Sequence, residues 1–503
     1  MAGFTLLRFV PVALSLATIA AAAPAPELDP ILFPGGDKEA IPVCRDIESK
    51  VSSASKVIWP FHLGYGSALH HWFFSSSQNS TCAVEVGSAR DLSTVVKIVG
   101  DTRTPFAIKS GGHASNPGFS STPSVHISLE KMNQVILSAD GKTVELGFGN
   151  TWFDVYKALE SAGVNVVGGR VPGPGVGGFT LGGGYSWKTN QYGLTVDTVL
   201  SFDVVLPNGT FTRASASQNS DLFWALKGGT NRFGIVTSAV METHPQPPKV
   251  YAGLAIYSST QVPALLNATS RFFYENTDPK ASIITTLEGS PLGTGATALL
   301  LFFYDGPNKP DSFKLFDDIT PLVSTVKQQT FVQFLNGIPS RLGQVRNPRG
   351  AFITMSTSEI SQRFVDVVNA EVQAVSKEMA LHGGIVASFD IEPFTPYGEH
   401  ATDSSYPHTS SPLPLNAYFS WISKFEDEWW WARMRQSIDN ITAQAKAEGI
   451  YVNAELQPAY PNYSLFDEPV ENMYGPTNTA RLRAVRQKYD PERVMDLAGG
   501  FDI

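Results

Sequence analysis

Residues 168–185 read GGRVPGPGVGGFTLGGGY, and residues 108–113 upstream of them read IKSGGH. Nine of the 17 residues from 168 to 184 are glycine. Because glycine loses more conformational entropy on folding than any other residue, this density requires a structural reason. The usual reason is a backbone that turns sharply and lets a ligand come into contact with it. The two stretches therefore predict a site for a large, flat, phosphate-bearing ligand, with His113 as its anchor.

The composition indicates a soluble globular protein with a sizeable core. Hydrophobic residues make up 43% of the 503 residues and charged residues 17%, below the roughly 25% of a typical soluble protein. The length allows two or three domains. A net charge of −9 argues against nucleic acid and anionic membrane surfaces as partners. The 31 Phe, 16 Tyr and 9 Trp either line a pocket for a hydrophobic or sugar-like substrate or fill the core.

The first 23 residues have the pattern of a secretory signal peptide. Arg8 is followed by an apolar run over residues 9–20 and by the small residues 21–23. A run of this length is too short to span a bilayer, so a membrane anchor is the weaker interpretation. We expect a secreted protein that is soluble and monomeric. Secretion agrees with four predicted glycosylation sites, at Asn79, Asn208, Asn267 and Asn440.

The only two cysteines are Cys44 and Cys82. In an oxidising compartment an isolated pair most often forms one disulfide, and two buried free thiols are the alternative. Without neighbouring histidine ligands the pair does not make a zinc site, and no metal is expected.

Changes of pattern along the chain suggest a multi-domain organisation. Residues 24–57 form an N-terminal arm, and the proline-rich segment 244–248 marks a boundary. Between 248 and 449, strands are predicted near 298–304, 351–355, 385–389 and 417–422, and helices over 259–276, 359–380 and 426–448. This mixture predicts an α+β domain with an antiparallel sheet covered by helices. Residues 450–503 differ again and end in a helix near 477–488.

One glycine pattern matches the dinucleotide fingerprint of the Rossmann fold, Gly173-x-Gly175-x-x-Gly178. That fingerprint requires a tight strand-turn-helix unit. Pro172 and Pro174 interrupt the turn, and glycines at 182–184 disfavour a helix directly after it. The Rossmann interpretation is therefore rejected.

Several motifs occur in an order that resembles a known family. They are SGGH at 110–113, the tract at 168–185, YGL-x-x-D at 192–197, DLFWALKGG at 221–229, FGIVT at 233–237 and YPNY at 460–463. Together they resemble the berberine bridge enzyme-like group of FAD-linked oxidoreductases, of the fungal secreted kind, within the vanillyl-alcohol oxidase superfamily. The resemblance implies a two-subdomain PCMH-type FAD-binding domain over 58–247. It also implies a substrate domain over 248–449 and a C-terminal segment, 450–503, that returns to the first domain.

The resemblance assigns roles to the glycine-rich residues. His113 matches the histidine that bonds covalently to the flavin. The other positions matched to cofactor binding are Lys109, Ser110, Gly111, Gly112, Gly177, Gly178, Gly182, Gly183, Gly184, Gly234, Ile235 and Val236. Val171 stands where many relatives carry a second, cysteine attachment, so a single attachment is expected. Pro174 occupies a position that governs access of oxygen, and proline there is more similar to oxidases than to dehydrogenases.

Catalytic and substrate-binding residues are less clearly indicated. Tyr463 matches a tyrosine that acts as a base in some members, with Tyr460 and Asn462 beside it, although a buried structural Tyr-Asn-Tyr is the alternative. If Asn462 faces the flavin it cannot carry a glycan. The substrate-pocket candidates are Asp390, Glu392, His408, Asn416 and Tyr418. Other relatives use a glutamate on a strand of this domain, and the sequence does not identify its counterpart.

The resemblance implies an oxidase that removes hydride from a small-molecule alcohol, amine or phenolic, polyketide-like substrate. Dioxygen would accept the electrons and give H₂O₂. Two alternatives stay open: an oligosaccharide oxidase, for which Trp429, Trp430 and Trp431 could line an aromatic groove, and a flavin-scaffolded cyclase. A degenerate binding protein is the least favoured reading.

Overall fold

The computed structural model describes residues 36–291, 296–338 and 348–503. The predicted signal peptide and residues 24–35 of the arm lie outside the described residues. The first sheet consists of β1 (Lys56–Ile58), β2 (Cys82–Glu85), β3 (Phe106–Lys109) and β4 (Val125–Ser128). Its order is β1-β2-β4-β3, in which β4 runs parallel to both of its neighbours. The helices of this region are α1 (Ile41–Lys50), α2 (Tyr65–Leu69) and α3 (Ala89–Asp101).

A second, antiparallel sheet has the order β5-β6-β10-β8-β9. Its strands are β5 (Val135–Leu137), β6 (Thr143–Gly147), β8 (Val199–Val205), β9 (Phe211–Ser215) and β10 (Ile235–Glu242), while β7 (Val164–Asn165) pairs with β11 (His244–Pro245). The helices here are α4 (Trp152–Leu159), α5 (Val176–Leu181), α6 (Thr189–Tyr192) and α7 (Ser220–Leu226). Helix α5 begins inside the glycine tract and ends at Gly182. The glycines therefore limit this helix to six residues and terminate it, rather than preventing it.

The largest sheet is antiparallel, with the order β15-β12-β14-β13-β18-β19-β17. Its strands are β12 (Val250–Tyr257), β13 (Ala281–Gly289), β14 (Ala296–Tyr304), β15 (Val323–Ser324), β16 (Lys327–Gln329), β17 (Arg349–Thr357), β18 (Gly384–Ile391) and β19 (Leu413–Trp421). The helices are α8 (Val262–Glu275), α9 (Phe331–Gly337), α10 (Gln362–Met379) and α11 (Asp427–Glu448). The α+β class with an antiparallel sheet is thus confirmed. The periodicity did not anticipate β12 and β13.

The large sheet has two chemically different faces, because side chains alternate along each strand. Apolar residues such as Ile283, Phe389 and Phe419 are buried together with residues of α8, α10 and α11 in one core. The opposite face carries Thr286, Asp390 and polar neighbours that line a cavity. The sheet therefore uses one face for stability and offers the other to a ligand.

The C-terminal segment returns to the domain of the two small sheets through α12 (Val470–Tyr489), which is kinked at Gly475. Buried Arg232 donates hydrogen bonds to the carbonyl oxygens of Met495, Ala498, Gly500 and Phe501, at 2.5–3.1 Å. Ala498 also forms a parallel bridge with Phe106 at the start of β3. None of the helices in the described ranges combines the length and apolarity needed to cross a bilayer.

The predicted disulfide is present, and it joins Cys44 of α1 to Cys82 of β2 over a Cα–Cα distance of 6.2 Å. It closes a loop of 38 residues, for which chain entropy predicts a stabilisation of about 3–4 kcal/mol. We expect the Cys44→Ser/Cys82→Ser variant to lose about this free energy of unfolding in urea titrations. Reductant should lower the stability of the wild-type protein to that of the variant and leave the variant unchanged. Equal stability of the two proteins without reductant would refute a stabilising role.

Candidate cofactor and active site

A cavity of about 440 Å³ lies between the two small sheets and the polar face of the large sheet. This volume is within the range of roughly 300–1,000 Å³ that is common for ligand pockets. Many of the site residues predicted from the sequence line this cavity. They are Ser110, Gly111, Gly112, His113, Pro174, Gly177, Gly178, Gly234, Ile235, Val236, Asp390, Glu392, Asn416, Tyr418, Tyr460, Asn462 and Tyr463. Most of the predicted site residues, although distant in sequence, therefore meet around one space.

The two glycine-rich stretches contact each other backbone to backbone at the cavity wall. A Cβ atom on Gly111 would lie 2.4 Å from the backbone nitrogen of Gly175, and one on Gly175 would lie 2.2 Å from that of Gly111. Ser110 joins them further, since its Oγ donates to the carbonyl of Phe148 at 2.5 Å and accepts from the Gly177 N–H at 3.1 Å. Glycine is needed at this crossing because any side chain would separate the two loops.

His113 lies in an aromatic stack on the cavity wall. Its ring is 4.7 Å from the ring of Trp72 and 6.4 Å from that of Phe352, nearly parallel to the latter. Burial lowers the pKa of His113 to about 4, so the imidazole is neutral at physiological pH. A neutral imidazole nitrogen held against the cavity is the form that can act as a nucleophile.

Four cofactor-binding predictions do not match the cavity. Ile108 and Ser110 line it, so the alternating side-chain directions around the end of β3 send Lys109 to the other side. Lys109 is buried there, which lowers its pKa against the opposing effects of Glu130 and Glu85. Gly182, Gly183 and Gly184 are also absent from the lining. A Cβ atom on Gly182 would lie 2.2 Å from Asn462 Oδ1, so this glycine admits the C-terminal segment rather than the ligand.

A buried ion pair that the sequence did not predict joins the glycine tract to the large sheet. Arg170 Nη1 and Nη2 donate to the two carboxylate oxygens of Glu392 at 2.7 and 2.8 Å. Arg170 Nη2 also donates to the Tyr463 hydroxyl at 2.6 Å, and that hydroxyl donates to Glu392 Oε1 at 3.2 Å. Arg170 is the only charged residue between 168 and 185, which is the signal that could have identified it.

The other two residues of the predicted catalytic group have mainly structural contacts. The Tyr460 hydroxyl accepts from the Gly184 N–H at 3.1 Å and from Asn462 Nδ2 at 2.8 Å. Asn462 Nδ2 also donates to the carbonyl of Phe179 at 3.0 Å. Both residues line the cavity while fastening the C-terminal segment to α5.

His408, a predicted substrate-pocket residue, does not line this cavity. Its Nε2 lies 2.9 Å from Asp197 Oδ2 and its Nδ1 lies 2.8 Å from the carbonyl of Tyr406. Both partners lie away from the cavity lining, where the YGL-x-x-D motif meets the loop before β19. The imidazole satisfies a buried carboxylate and has no contact with the ligand space.

The cavity also fits an FAD molecule. Asn116 Oδ1 and Thr230 Oγ1 line it and, among the described residues, these buried atoms have no hydrogen-bond partner. Unpartnered buried polar atoms are uncommon and therefore indicate a polar ligand. Trp72, Phe352 and Tyr418 add flat apolar walls. This combination fits a cofactor that is polar along its diphosphate and planar at its ring system.

Comparison with known proteins agrees with this fit. A family model described as an FAD binding domain matches residues 80–215, and one described as berberine and berberine like matches residues 459–498. The FAD-dependent monooxygenase yanF of Aspergillus niger is 30% identical over 442 residues, which cover 84% of this chain and 73% of that protein.

Two solved structures share the fold. The 6-hydroxy-D-nicotine oxidase of Arthrobacter nicotinovorans superposes with a TM-score of 0.74 at 20% identity, over 90% of this chain and 98% of that one. The glucooligosaccharide oxidase of Acremonium strictum, which carries a 6-S-cysteinyl, 8α-N1-histidyl FAD, superposes with a TM-score of 0.70 at 19% identity, over 90% of this chain and 97% of that one. At these identities the structures support the fold alone. The family models and the fungal relative carry the assignment: the chain belongs to the berberine bridge enzyme-like family of FAD-linked oxidoreductases.

Proposed function

We propose that this protein is a secreted oxidase that removes a hydride from an alcohol, amine or phenolic small molecule. The observation that carries the proposal is the buried group of Arg170, Glu392 and Tyr463, because it provides a proton acceptor at the wall of the cavity. Bound FAD would supply the hydride acceptor and would pass the electrons to O₂, giving H₂O₂.

Tyr463 and Glu392 are proposed to hold the proton that the substrate loses. Burial raises the pKa of Tyr463 well above 10, with Arg170 opposing the shift, so the phenol is protonated at neutral pH. It can accept a substrate proton only if it passes its own to Glu392, with which it is already hydrogen bonded. Arg170 would keep the carboxylate ionised until that transfer. The glutamate used by other relatives therefore has a candidate counterpart in Glu392.

The mode of attachment and the electron acceptor are proposed from the glycine tract. Val171 lines the cavity and has no thiol, which supports a single bond between the flavin and His113. Pro174 also lines the cavity, at the position whose proline is typical of oxidases in this family. We infer that O₂ reaches the flavin past this residue.

Secretion is supported by the disulfide and by the predicted glycosylation sites. Asn208, Asn267 and Asn440 are exposed, and Asn79 is half-buried. Asn462 differs from them because it lines the cavity, where its amide donates to the Phe179 carbonyl and the Tyr460 hydroxyl. Treatment of the secreted protein with an endoglycosidase is expected to lower its mass without removing anything from Asn462.

The aromatic-groove argument for the oligosaccharide-oxidase alternative does not hold. Trp429, Trp430 and Trp431 belong to α11 on the helix-covered side of the large sheet, and none lines the cavity. Trp430 is fully buried, Trp429 stacks on His382 at 3.5 Å, and Trp431 packs against Phe466. Trp430 is a core residue of the substrate domain, and Trp429 and Trp431 are half-buried against that core, so the three do not line a groove at the cavity.

The test is anaerobic mixing of the holoenzyme with benzylic alcohols, amines, phenols and oligosaccharides, followed by admission of air. We expect flavin bleaching by a member of the first three classes and one H₂O₂ per turnover after aeration. Bleaching by oligosaccharides alone would favour the sugar oxidase, and product formation without bleaching would favour the cyclase. Reduced flavin that air does not reoxidise would contradict the oxidase.

With a bleaching substrate in hand, Tyr463→Phe is expected to slow anaerobic flavin reduction by about 10²–10⁴-fold, the usual contribution of a positioned proton acceptor. Tyr418→Phe is the matched control, because this cavity tyrosine has no contact with Glu392, and it should slow reduction less than tenfold. Similar rates for the Tyr463→Phe variant and the wild-type enzyme would remove Tyr463 from the proton path.

A further inference from the structure

Three polar side chains lie at the same level on neighbouring strands of the cavity-facing sheet surface. Thr286 of β13 pairs in register with Asp390 of β18, and Asp390 pairs with Asn416 of β19. All three line the cavity. This group, the Thr286–Asp390–Asn416 row, is joined by hydrogen bonds between its own side chains and shares none of those of the ion pair at Arg170.

The hydrogen bonds within the row leave one buried polar atom without a partner among the described residues. Thr286 Oγ1 donates to Asp390 Oδ1 at 2.6 Å, and Asn416 Nδ2 donates to Asp390 Oδ2 at 2.9 Å. Asn416 Oδ1 is buried and has no partner among the described residues. A reversed amide would set two oxygens against each other, so the bond to Asp390 fixes this orientation.

The row therefore has an unpartnered acceptor, Asn416 Oδ1, on a residue that lines the cavity. The hydroxyl hydrogen of Thr286 is already directed to Asp390. Burial raises the pKa of the neighbouring Glu288 and Glu392, against the effect of Arg170 on Glu392, and the charge of Asp390 adds to both shifts. Acidic side chains therefore predominate around the row. Such surroundings disfavour a carboxylate or another acceptor-only ligand and favour a group that brings a hydrogen.

Aromatic rings border the same space. Phe352 and Tyr418 pack with ring centroids 5.3 Å apart, and both line the cavity. Tyr418 is two residues from Asn416 on β19, so its side chain points to the same face of the sheet. A ligand whose hydroxyl or ammonium group reaches Asn416 can therefore lay an apolar ring against this wall.

We propose that the row is a subsite for a hydrogen-bond donor on the substrate, a hydroxyl or an ammonium group carried by an aromatic or similarly apolar ring. This inference rests on the proposed function and narrows its substrate class. Ethers and ketones at this position are rejected, because they would leave the Asn416 oxygen unpaired in a buried place.

The test is calorimetric titration of the oxidised holoenzyme with phenol and with anisole. Anisole carries a methyl group in place of the donor hydrogen of phenol, and neither probe has a benzylic C–H bond. We expect phenol to bind at least tenfold more tightly than anisole. Equal affinity for phenol and anisole would overturn the subsite.

Two variants make the test specific, Asn416→Leu and a control, Ser420→Ala. Asp390 is left unchanged in both, and the control keeps the hydrogen bond that orients the Asn416 amide. Asn416→Leu should abolish the discrimination between the two probes, and retention of the tenfold difference would overturn the proposal.

Ser420→Ala is the matched control, since Ser420 lies on the same strand but donates to the Arg349 carbonyl at 2.8 Å and does not line the cavity. It should keep the wild-type discrimination. The titrations need no turnover, so their outcome is independent of flavin bleaching. A protein that discriminates between the probes but is never bleached would retain the subsite and lose the oxidase.

Discussion

Substitution His113→Ala is expected to yield a protein whose flavin is released completely on denaturation. In the wild-type enzyme the flavin should migrate with the denatured chain as a fluorescent band. The neutral imidazole between Trp72 and Phe352 is the group on the cavity wall suited to hold it. Because the bond raises the potential of the flavin, the variant should also show a lower potential. A fall of about 30 mV in a two-electron couple reduces the equilibrium constant for hydride transfer tenfold.

Trp72→Phe is the control for this variant, because it retains an aromatic ring against His113 and leaves the imidazole in place. It should keep the fluorescent band. A His113→Ala protein that still carries flavin after denaturation would assign the attachment to another residue.

The second large effect is expected for Arg170→Met, which removes the cation from a buried carboxylate. Breaking a buried pair in this way costs roughly 3–5 kcal/mol of folding free energy, because Glu392 is left without a counter-ion. We also expect substrate-driven flavin reduction to slow by about 10²-fold or more, since Glu392 would then be protonated and unable to accept a proton. Urea unfolding and anaerobic stopped-flow measurements test the two effects separately.

The pH dependence of this variant has a definite sign. Burial already raises the pKa of Glu392, and Arg170 opposes the shift, so removal of the arginine raises the pKa further. The folded variant then keeps a proton that the unfolded chain releases above a pKa of about 4.3. Its stability should therefore fall as pH rises above that value, and its loss relative to wild type should be larger at pH 8 than at pH 5.

The double variant Arg170→Met/Glu392→Gln is the control, because it removes both charges. It should recover most of the lost stability and none of the lost rate. A double variant no more stable than Arg170→Met would show that the loss has another origin, such as the packing of Arg170 against Phe394.

The local motifs predicted much of this architecture because each motif reflects the backbone conformation of its own few residues. The glycines at 111 and 175 were recognisable from their density, and the structure gives them a shared contact. The pocket candidates Asn416 and Tyr418 are two residues apart on β19, so the alternation of side chains places both on one face of the sheet. These features depend on a few neighbouring residues, which a single sequence displays directly.

Most of the predicted residues that do not line the cavity, and the ion pair that the sequence did not predict, depend on tertiary contacts. Lys109 is the exception, because its direction depends on the alternation of side chains at the end of β3, which its motif does not specify. Arg170 and Glu392 are 222 residues apart, and only the folding of the large sheet against the glycine tract brings them together. His408 pairs with Asp197 across 211 residues for the same reason. Glycines 182–184 accommodate the C-terminal segment, whose position the tract alone does not reveal.

The central claim is that one flavin is covalently held by His113 alone, in the cavity between the two small sheets and the large sheet. The most direct measurement is mass spectrometry of the denatured holoenzyme, followed by peptide mapping of the flavin-bearing fragment. We predict a chain heavier by a single FAD, with the modification on His113 and an unmodified peptide containing Val171. A chain without added mass, or an FAD attached at any other residue, would contradict the account.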